Sequence, residues 1–158
     1  MTDNDNQFMQ EALNLARQGI QQRHGGPFGA VVVVQGEILG RGWNQVVRNN
    51  DPTAHAEMIA IREACDRMGR FHLPEATLYT SCEPCPMCLS AAYWARISSI
   101  VYAADAQDAA AIGFIDSQLK EALKHPIAKG GIGVRRAMQA EAVKLFRQWQ
   151  QDPQKTHY

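Results

Sequence analysis

The stretch TSCEPCPMCLSAAYWAR, residues 80–96, holds three of the four cysteines of the chain, at positions 82, 85 and 88. Proline follows Cys85 directly, and proline is favoured at the first position of a helix. Cys85 is therefore predicted to cap a helix, with Cys88 in its first turn on the same face, because residues three apart on a helix are neighbours. Both sulfur atoms can then reach one metal ion as thiolates, whose pKa a helix N-terminus lowers.

A third metal ligand is predicted in the helix that precedes this segment. The run Asp-Pro-Thr at residues 51–53 is typical of a helix start, and His55 lies in the first turn of the helix that follows. The starts of the two helices can converge on one point, because sites in open α/β sheets lie outside the carboxyl ends of strands. One imidazole and two thiolates suit zinc by ligand softness. We therefore expect zinc bound by His55, Cys85 and Cys88.

Cys82 leaves two kinds of zinc site open. A closed tetrahedron of three cysteines and one histidine is a structural site, whereas a catalytic site keeps its fourth position for water. The spacing alone does not exclude the closed site. The direction of the side chain favours the open one, because Cys82 continues the face of an extended segment that Leu78 occupies and precedes the turn-forming pair Glu83-Pro84.

Glu57, two residues after His55, favours a catalytic site. A carboxylate at this distance can act as a general acid/base on a water bound to the metal, and zinc lowers the pKa of such a water to about 7. A structural site has no use for this carboxylate. The alternative is that Glu57 only stabilises the positive end of the helix dipole, as glutamates in first turns commonly do.

The size and charge of the chain indicate one compact domain with a small-molecule partner. A length of 158 residues, of which 46% are hydrophobic, suits a single core. Lys and Arg together number 16, as do Asp and Glu, so no net charge attracts nucleic acid or a membrane surface. The sequence has neither the pattern of a secretory signal nor an apolar run of the roughly 20 residues that cross a bilayer. We expect a cytoplasmic protein whose clustered cysteines bind metal instead of forming disulfides.

Hydrophobic periodicity predicts an α/β sandwich around a mixed sheet. A period close to 3.6 residues indicates a helix over residues 7–22. Four consecutive valines in the run at residues 28–35 indicate a buried strand, paired in a hairpin with residues 37–44. Further helices are expected near residues 55–69, 85–96, 115–124 and 140–150, and further strands at residues 76–82, 99–104 and 133–137.

Two motifs together carry a resemblance to a known enzyme family. Residues 53–57, Thr-Ala-His-Ala-Glu, contain H-x-E, and residues 81–88, Ser-Cys-Glu-Pro-Cys-Pro-Met-Cys, contain P-C-x-x-C. With this pair of motifs the chain resembles the zinc-dependent nucleoside and nucleobase deaminases. Within that superfamily it is similar to the bacterial guanine deaminases over essentially its whole length, in the segments GGPFGAVV, NDPTAHAE, LYTSCEPCPMC, YWAR and GFIDS and in its terminal tyrosine.

The resemblance implies a fold, a reaction and an assembly. The fold is a cytidine-deaminase-like three-layer α/β/α sandwich with a five-stranded mixed sheet, formed by residues 1–158 as a single domain. The reaction is hydrolytic deamination of guanine to xanthine and ammonia, with one zinc ion per subunit activating water and Glu57 as the proton shuttle. The assembly is a homodimer in which the C-terminal segment, about residues 140–158, is exchanged between subunits and closes the partner's active site.

The resemblance also implies roles for single residues. Asn44 matches an amide that hydrogen-bonds the purine, and Phe28 matches a ring that stacks on it. Asp116 matches a carboxylate that contacts the guanine amino group and helps to move protons. Ile115 departs from relatives that have an acidic residue there, and residues 120–133 match poorly. The implied substrate contacts are Phe28, Asn44, Ala54, Trp94 as a pocket wall, Asp116, and Tyr158 as a cover over the pocket.

Two other functions remain open on the sequence. The first is another reaction of the same superfamily, on tRNA adenosine, cytosine or an aminotriazine such as ammeline, although a balanced charge argues against a tRNA substrate. The second is a structural zinc module without turnover. Without the resemblance, the aromatic residues would be core residues, Asn44 a turn residue and Asp116 a helix cap.

Overall fold

The computed structural model describes residues 3–124 and 133–157. The chain divides into two compact units, Met1–Asp116 and Ser117–Tyr158. The first unit contains helices α1 (Asp3–Gln21), α2 (Val46–Asn49), α3 (Ala56–Met68), α4 (Pro86–Trp94) and α5 (Ala106–Ala111), and strands β1 (Gly29–Val34), β2 (Glu37–Trp43), β3 (Ala76–Cys82) and β4 (Ser99–Ala104). The second contains helices α6 (Ser117–Leu123) and α7 (Gln139–Gln151). Within the described residues, no helix has the length and apolar character needed to cross a bilayer.

The four strands of the first unit form one mixed sheet in the order β2-β1-β3-β4. β1 lies antiparallel to β2 and β3, while β3 lies parallel to β4. Every residue of β1 is buried, as the run of valines predicts for a strand covered on both faces. The predicted hairpin is confirmed, since β1 and β2 are joined by Gln35 and Gly36, both with positive φ, as a two-residue hairpin turn requires.

Helices pack on both faces of the sheet. On one face, α1 contributes Phe8, Ala12 and Leu15 to a buried cluster with Val31, Val33 and Tyr79. On the other face, α3 and α4 contribute Ala56, Ala60 and Ala92 to a cluster with Val32 and Leu78. The expected α/β class with helices on both sides of a mixed sheet is therefore confirmed.

The close packing of α3 on β2 depends on two glycines. A Cβ atom at Gly40 would lie 1.9 Å from the backbone oxygen of Ala60, and a Cβ at Gly42 would lie 2.1 Å from that of Ala56. Neither oxygen belongs to a flexible side chain, so a larger residue at Gly40 or Gly42 would displace the helix. The two glycines thereby allow the first two turns of α3 to lie close against the sheet.

The expectation of five strands is wrong for the described residues, whose sheet has four. The fifth strand was expected at residues 133–137, but residues 133–138 lie outside any helix or strand, and all of them are exposed. Val134 is 44% exposed, and two arginines follow it. An edge strand without a buried apolar face has nothing to set its register, which explains why this segment does not pair.

Candidate active site

The three predicted metal ligands lie at the starts of two neighbouring helices. His55 is the N-cap of α3, and Cys85 is the N-cap of α4 with Pro86 at the first helical position. Cys88 lies one turn further along α4 and is fully buried. The structure confirms the predicted cap at Cys85, and it places His55 one residue before the helix instead of within its first turn.

The distances between these donor atoms fit one zinc ion. The Nδ1 atom of His55 lies 3.6 Å from Sγ of Cys85 and 3.5 Å from Sγ of Cys88. Zinc bonds of about 2.3 Å to sulfur and 2.0–2.1 Å to nitrogen, at a tetrahedral angle, separate the two donors by about 3.6 Å. The nitrogen and the two sulfurs are therefore already spaced as ligands of one ion, and together they can hold a metal.

The thiol of Cys85 is poised for metal binding. The hydrogen bond with Cys88 lowers the pKa of Cys85 to about 4, and the hydrogen bond with His55 acts in the same direction. The hydrogen bond with Cys85 raises the pKa of the His55 ring. Both hydrogen bonds favour the thiolate form of Cys85, which is the form that binds zinc.

Cys82 does not belong to this group. Its side chain is buried, and its Sγ atom donates a hydrogen bond to the backbone oxygen of Asp105 at 3.7 Å. Burial raises the pKa of the Cys82 thiol to about 11, with the nearby carboxylates of Glu57 and Glu83 adding to the shift. This hydrogen bond places the Cys82 thiol at the start of α5, and the donor group within the described residues consists of His55, Cys85 and Cys88, so the geometry supports the open site with three protein ligands.

The carboxyl group of Glu57 lies beside the metal-ligand group. Its side chain is 6% exposed, and burial raises its pKa. The hydroxyl of Thr80 donates a hydrogen bond to Oε1 of Glu57 at 3.3 Å, and the thiol of Cys88 donates one to Oε2 at 3.5 Å. This environment suits a group that both takes and releases a proton.

A pocket with a volume of about 190 Å³ opens beside Glu57 and the metal-ligand group. This volume is below the roughly 300–1,000 Å³ of sites for drug-sized ligands, so the pocket suits a small molecule. The lining residues are Phe28, Asn44, His55, Glu57, Cys82, Glu83, Cys85, Ala106, Ala109, Phe114, Ile115 and Asp116.

Asn44 is held rigidly in the pocket wall. It is 4% exposed, and its Oδ1 atom accepts hydrogen bonds from the backbone N–H groups of Gly26 at 3.2 Å and Val46 at 3.3 Å. Because both neighbours are donors, the amide oxygen must face them. The amide nitrogen of Asn44 then remains as the donor that the side chain offers to a ligand.

Two phenylalanines form the aromatic part of the pocket. The ring of Phe28 meets the ring of Phe114 edge to face, with centroids 4.8 Å apart and an interplanar angle of 84°. A Cβ atom at Gly26 would lie 2.8 Å from both rings, so glycine is needed at this position to admit the pair. Phe114 was not predicted as a site residue, although it lies within the GFIDS segment that carries part of the resemblance.

The remaining predicted contacts fall in different places. Asp116 lines the pocket, whereas Ala54 is buried and does not belong to the lining. The backbone oxygen of Ala54 accepts a hydrogen bond from the backbone N–H of Gln45. Trp94 lies outside the pocket lining and is 67% exposed. Tyr158 lies outside the described residues.

Sequence reasoning missed the wall that α5 provides and the role of Glu83 in placing it. The Oε2 atom of Glu83 accepts a hydrogen bond from the backbone N–H of Ala106 at 3.1 Å. Ala106 and Ala109 of this helix line the pocket. The acidic residue between Cys82 and Pro84 is visible in the sequence, but its partner lies 23 residues further along the chain.

Comparison with known proteins assigns the family. The cytidine and deoxycytidylate deaminase zinc-binding region matches residues 2–104, which include the metal-ligand group and Glu57. The chain belongs to the cytidine and deoxycytidylate deaminase family. Zinc is the metal that this deaminase family binds in this region, and the donor atoms of His55, Cys85 and Cys88 fit it.

Relatives within the deaminase family match different lengths of the chain. The guanine deaminase of Bacillus subtilis (strain 168) is 44% identical over 155 residues, 98% of this chain and 99% of that protein. The X-ray structure of the guanine deaminase from Bacillus subtilis superposes with a TM-score of 0.94 at 43% identity, covering 100% of this chain and 99% of that one. The tRNA-specific adenosine deaminase of Streptococcus pyogenes serotype M1 is 43% identical over 110 residues, 70% of this chain and 62% of that protein.

Proposed function

We propose that the protein catalyses the hydrolytic deamination of guanine to xanthine and ammonia. The observation that carries this proposal is the carboxyl group of Glu57, buried beside a zinc-ligand group in a pocket for a small molecule. Similarity over nearly the full length to a guanine deaminase, in sequence and in fold, favours guanine over other bases. A cytoplasmic location is part of the proposal, and four free cysteines agree with a reducing compartment.

His55, Cys85 and Cys88 would hold one zinc ion per subunit. When bound, zinc supplies Lewis-acid chemistry, lowering the pKa of a coordinated water and providing a nucleophile near neutral pH. Cys82 takes no part, because its thiol is bonded to the backbone oxygen of Asp105.

Glu57 moves the protons of the reaction. Its Oε2 atom lies next to the sulfur of Cys88. This oxygen takes a proton from the attacking water and passes it to a ring nitrogen of guanine. The water oxygen bonds to C2 of the base. The second proton of the water then passes through Glu57 to the exocyclic amine, the C2–N bond breaks, and ammonia leaves. General acid/base catalysis of this kind contributes roughly 10²- to 10⁴-fold.

Asn44, Phe28 and Asp116 position the base. The amide nitrogen of Asn44 donates to an acceptor on the purine, and guanine offers two on one edge, O6 and N7. Phe28 stacks on the base, supported edge to face by Phe114. Asp116 accepts from the exocyclic amino group and assists its departure.

Ala54 and Tyr158 complete the proposed substrate contacts. Trp94 would contact the substrate only in an assembled dimer, because its side chain lies outside the pocket lining of its own chain. We propose a homodimer in which residues 140–158 of each subunit cover the partner's pocket. Exposed apolar side chains support an assembly: Tyr93 and Trp94 on α4, and Leu145, Phe146 and Trp149 on α7.

Complementation between two inactive variants tests whether the C-terminal segment is exchanged between subunits. One chain carries Glu57→Gln, the other lacks only Tyr158, and each is inactive alone if both residues are needed. In a mixed dimer with exchanged segments, the site with an intact Glu57 receives Tyr158 from its partner, so mixing restores ammonia release. Absence of restoration, with mixed dimers present by mass spectrometry, would show that each tail acts on its own chain.

Parallel substrate assays test the reaction. The purified, zinc-loaded protein is offered guanine, adenine, cytosine, ammeline and a tRNA anticodon hairpin, and ammonia release is measured. We expect fast release from guanine and at least about 100-fold slower release from the other four, as expected when buried polar groups are left unpaired by the wrong base. Faster release from the hairpin or from another base would reject guanine as the substrate while keeping the deaminase chemistry. No ammonia release from any of the five substrates would favour the structural zinc module.

A further inference from the structure

Thr80 places a hydroxyl group in the centre of the buried sheet. It lies on β3, between Ala30 of β1 and Tyr102 of β4, and it has no exposed surface. Its neighbours on the same face of β3, Leu78 and Cys82, are apolar or weakly polar and buried. An apolar residue is therefore the expected choice at this position, because burying a hydroxyl costs free energy unless it is hydrogen-bonded.

The hydrogen bond that Thr80 makes is directed at the proposed proton shuttle. Its Oγ1 atom donates to Oε1 of Glu57 at 3.3 Å, in a fully buried contact between residues 23 apart in the chain. A side chain of β3, Thr80, is thus hydrogen-bonded to a side chain of α3, Glu57. The hydroxyl of the neighbouring Ser81 is also buried, but it accepts from the backbone N–H of Gly29 at 3.0 Å.

The two oxygens of Glu57 have different surroundings. Oε1 is bonded to Thr80, while Oε2 lies 3.5 Å from Sγ of Cys88, one of the zinc ligands. Zinc binds cysteine as thiolate, which has no proton to donate. In the zinc-bound protein Cys88 would therefore have no proton for this bond, whereas the hydroxyl of Thr80 keeps its own.

We propose that Thr80 is a positioning residue for the deamination, and that its hydroxyl fixes the rotation of the Glu57 carboxyl so that Oε2 is presented to the reacting water. The inference rests on the proposed function, because it concerns the orientation of the group that moves the protons. It assigns a separate task to each oxygen: Oε1 is anchored to the sheet, and Oε2 exchanges protons. Thr80 itself belongs neither to the pocket lining nor to the metal-ligand group.

Four variants test this inference on the full-length, zinc-loaded protein. Thr80→Val replaces the hydroxyl with a methyl group, Thr80→Ser keeps the hydroxyl, Ser81→Ala removes the neighbouring buried hydroxyl, and Thr80→Val is also made in a Glu57→Gln background. For each variant we measure kcat and KM for guanine, zinc per chain and the urea midpoint. Thr80→Ala replaces the valine variant if that protein does not fold.

We expect Thr80→Val to lower kcat by roughly 10- to 100-fold, the cost of a small misplacement of a reacting group. KM should change by less than about twofold, because substrate binding is not affected. Zinc should stay at one ion per chain. Thr80→Ser and Ser81→Ala should keep kcat within about threefold of the wild type. In the Glu57→Gln background, Thr80→Val should cause no further loss of kcat, since Thr80 and Glu57 act through one carboxyl group.

Unchanged kcat in Thr80→Val, loss of zinc in that variant, or equal kcat values for Thr80→Val and Thr80→Ser would each overturn the inference. A wild-type protein without turnover of guanine would overturn the proposed function, and the role of Thr80 with it. A wild-type protein that is active on guanine and matched by Thr80→Val would overturn the role of Thr80 alone.

Discussion

The thiol of Cys82 donates its hydrogen bond to the backbone oxygen of Asp105 at 3.7 Å, away from the zinc ligands three and six residues later in the chain. This contact favours the open one of the two zinc sites that the cysteine spacing leaves open. With the Cys82 thiol hydrogen-bonded at the start of α5, the described residues bring one nitrogen and two sulfurs together. These three ligands would hold zinc and would leave its fourth position for water.

Removal of Cys82 should leave zinc binding intact. Cys82→Ala deletes a thiol outside the donor group, so zinc per chain is expected to remain at one by elemental analysis after dialysis against a weak chelator. Cys85→Ala is the matched control on the same loop, and it should lose zinc because a ligand is removed. Equal loss of zinc from both variants would mean that Cys82 is a fourth ligand.

Alanine at Gly25 should weaken guanine binding. A Cβ atom there would lie 2.0 Å from Oδ1 of Asn44, so the amide must move out of the position that its two backbone donors define. Loss of one hydrogen bond of about 1.4 kcal/mol raises KM about tenfold. Steady-state kinetics on guanine measure this rise.

Gly133→Ala is the matched control for this variant. Among the residues that the structure describes, no atom beyond its chain neighbours would lie within 4 Å of a Cβ there, so KM should stay at the wild-type value. A Gly25→Ala protein with the same urea midpoint and an unchanged KM would show that Asn44 does not contact the base.

Stability should depend on Tyr79 at high pH. Its hydroxyl donates to Oδ1 of Asp5 at 2.6 Å, which joins β3 to α1, and burial, followed by this hydrogen bond, raises the pKa of Tyr79 from 10 to about 12. Because the folded state holds the proton more tightly, this contribution is complete below pH 10 and is lost as the pH rises from 10 to 12. Tyr79→Phe should therefore cost about 1 kcal/mol at pH 8.

When urea unfolding is repeated between pH 10 and 12, the stability advantage of the wild type over Tyr79→Phe should fall by roughly 2 kcal/mol, so that it vanishes and then reverses sign. Other groups that titrate in this range are common to both proteins and cancel in the comparison. Tyr93→Phe, at a side chain that is 78% exposed, should differ little from the wild type at any pH. A Tyr79→Phe difference that stays constant up to pH 12 would contradict the assigned shift.

Local signals explain what could be predicted from the sequence. The cap at Cys85 follows from the proline after it, and the hairpin follows from a valine run, a Gln-Gly turn and a second apolar run. Both depend on residues within a few positions of one another, where helix and turn chemistry act directly. The grouping of His55, Cys85 and Cys88 is predictable for the same reason, since each lies at a recognisable helix start.

Long-range contacts explain what could not be predicted. The bond between Thr80 and Glu57 spans 23 residues, and the wall of α5 depends on the bond between Glu83 and Ala106 over the same separation. Nothing near Thr80 in the sequence distinguishes its hydroxyl from one that would face solvent. The predicted fifth strand does not form for a related reason. Val134 favours a strand only if another surface of the protein covers its side chain.

The measurement that tests the account most directly is the turnover of guanine by Glu57→Gln with its zinc content determined on the same sample. The exchange keeps the size of the side chain and an oxygen that can accept the bond from Thr80, but it removes the group that takes and gives protons. The account predicts one zinc per chain and a kcat lowered by roughly 10²- to 10⁴-fold. Zinc at one per chain with turnover close to the wild-type rate would contradict it.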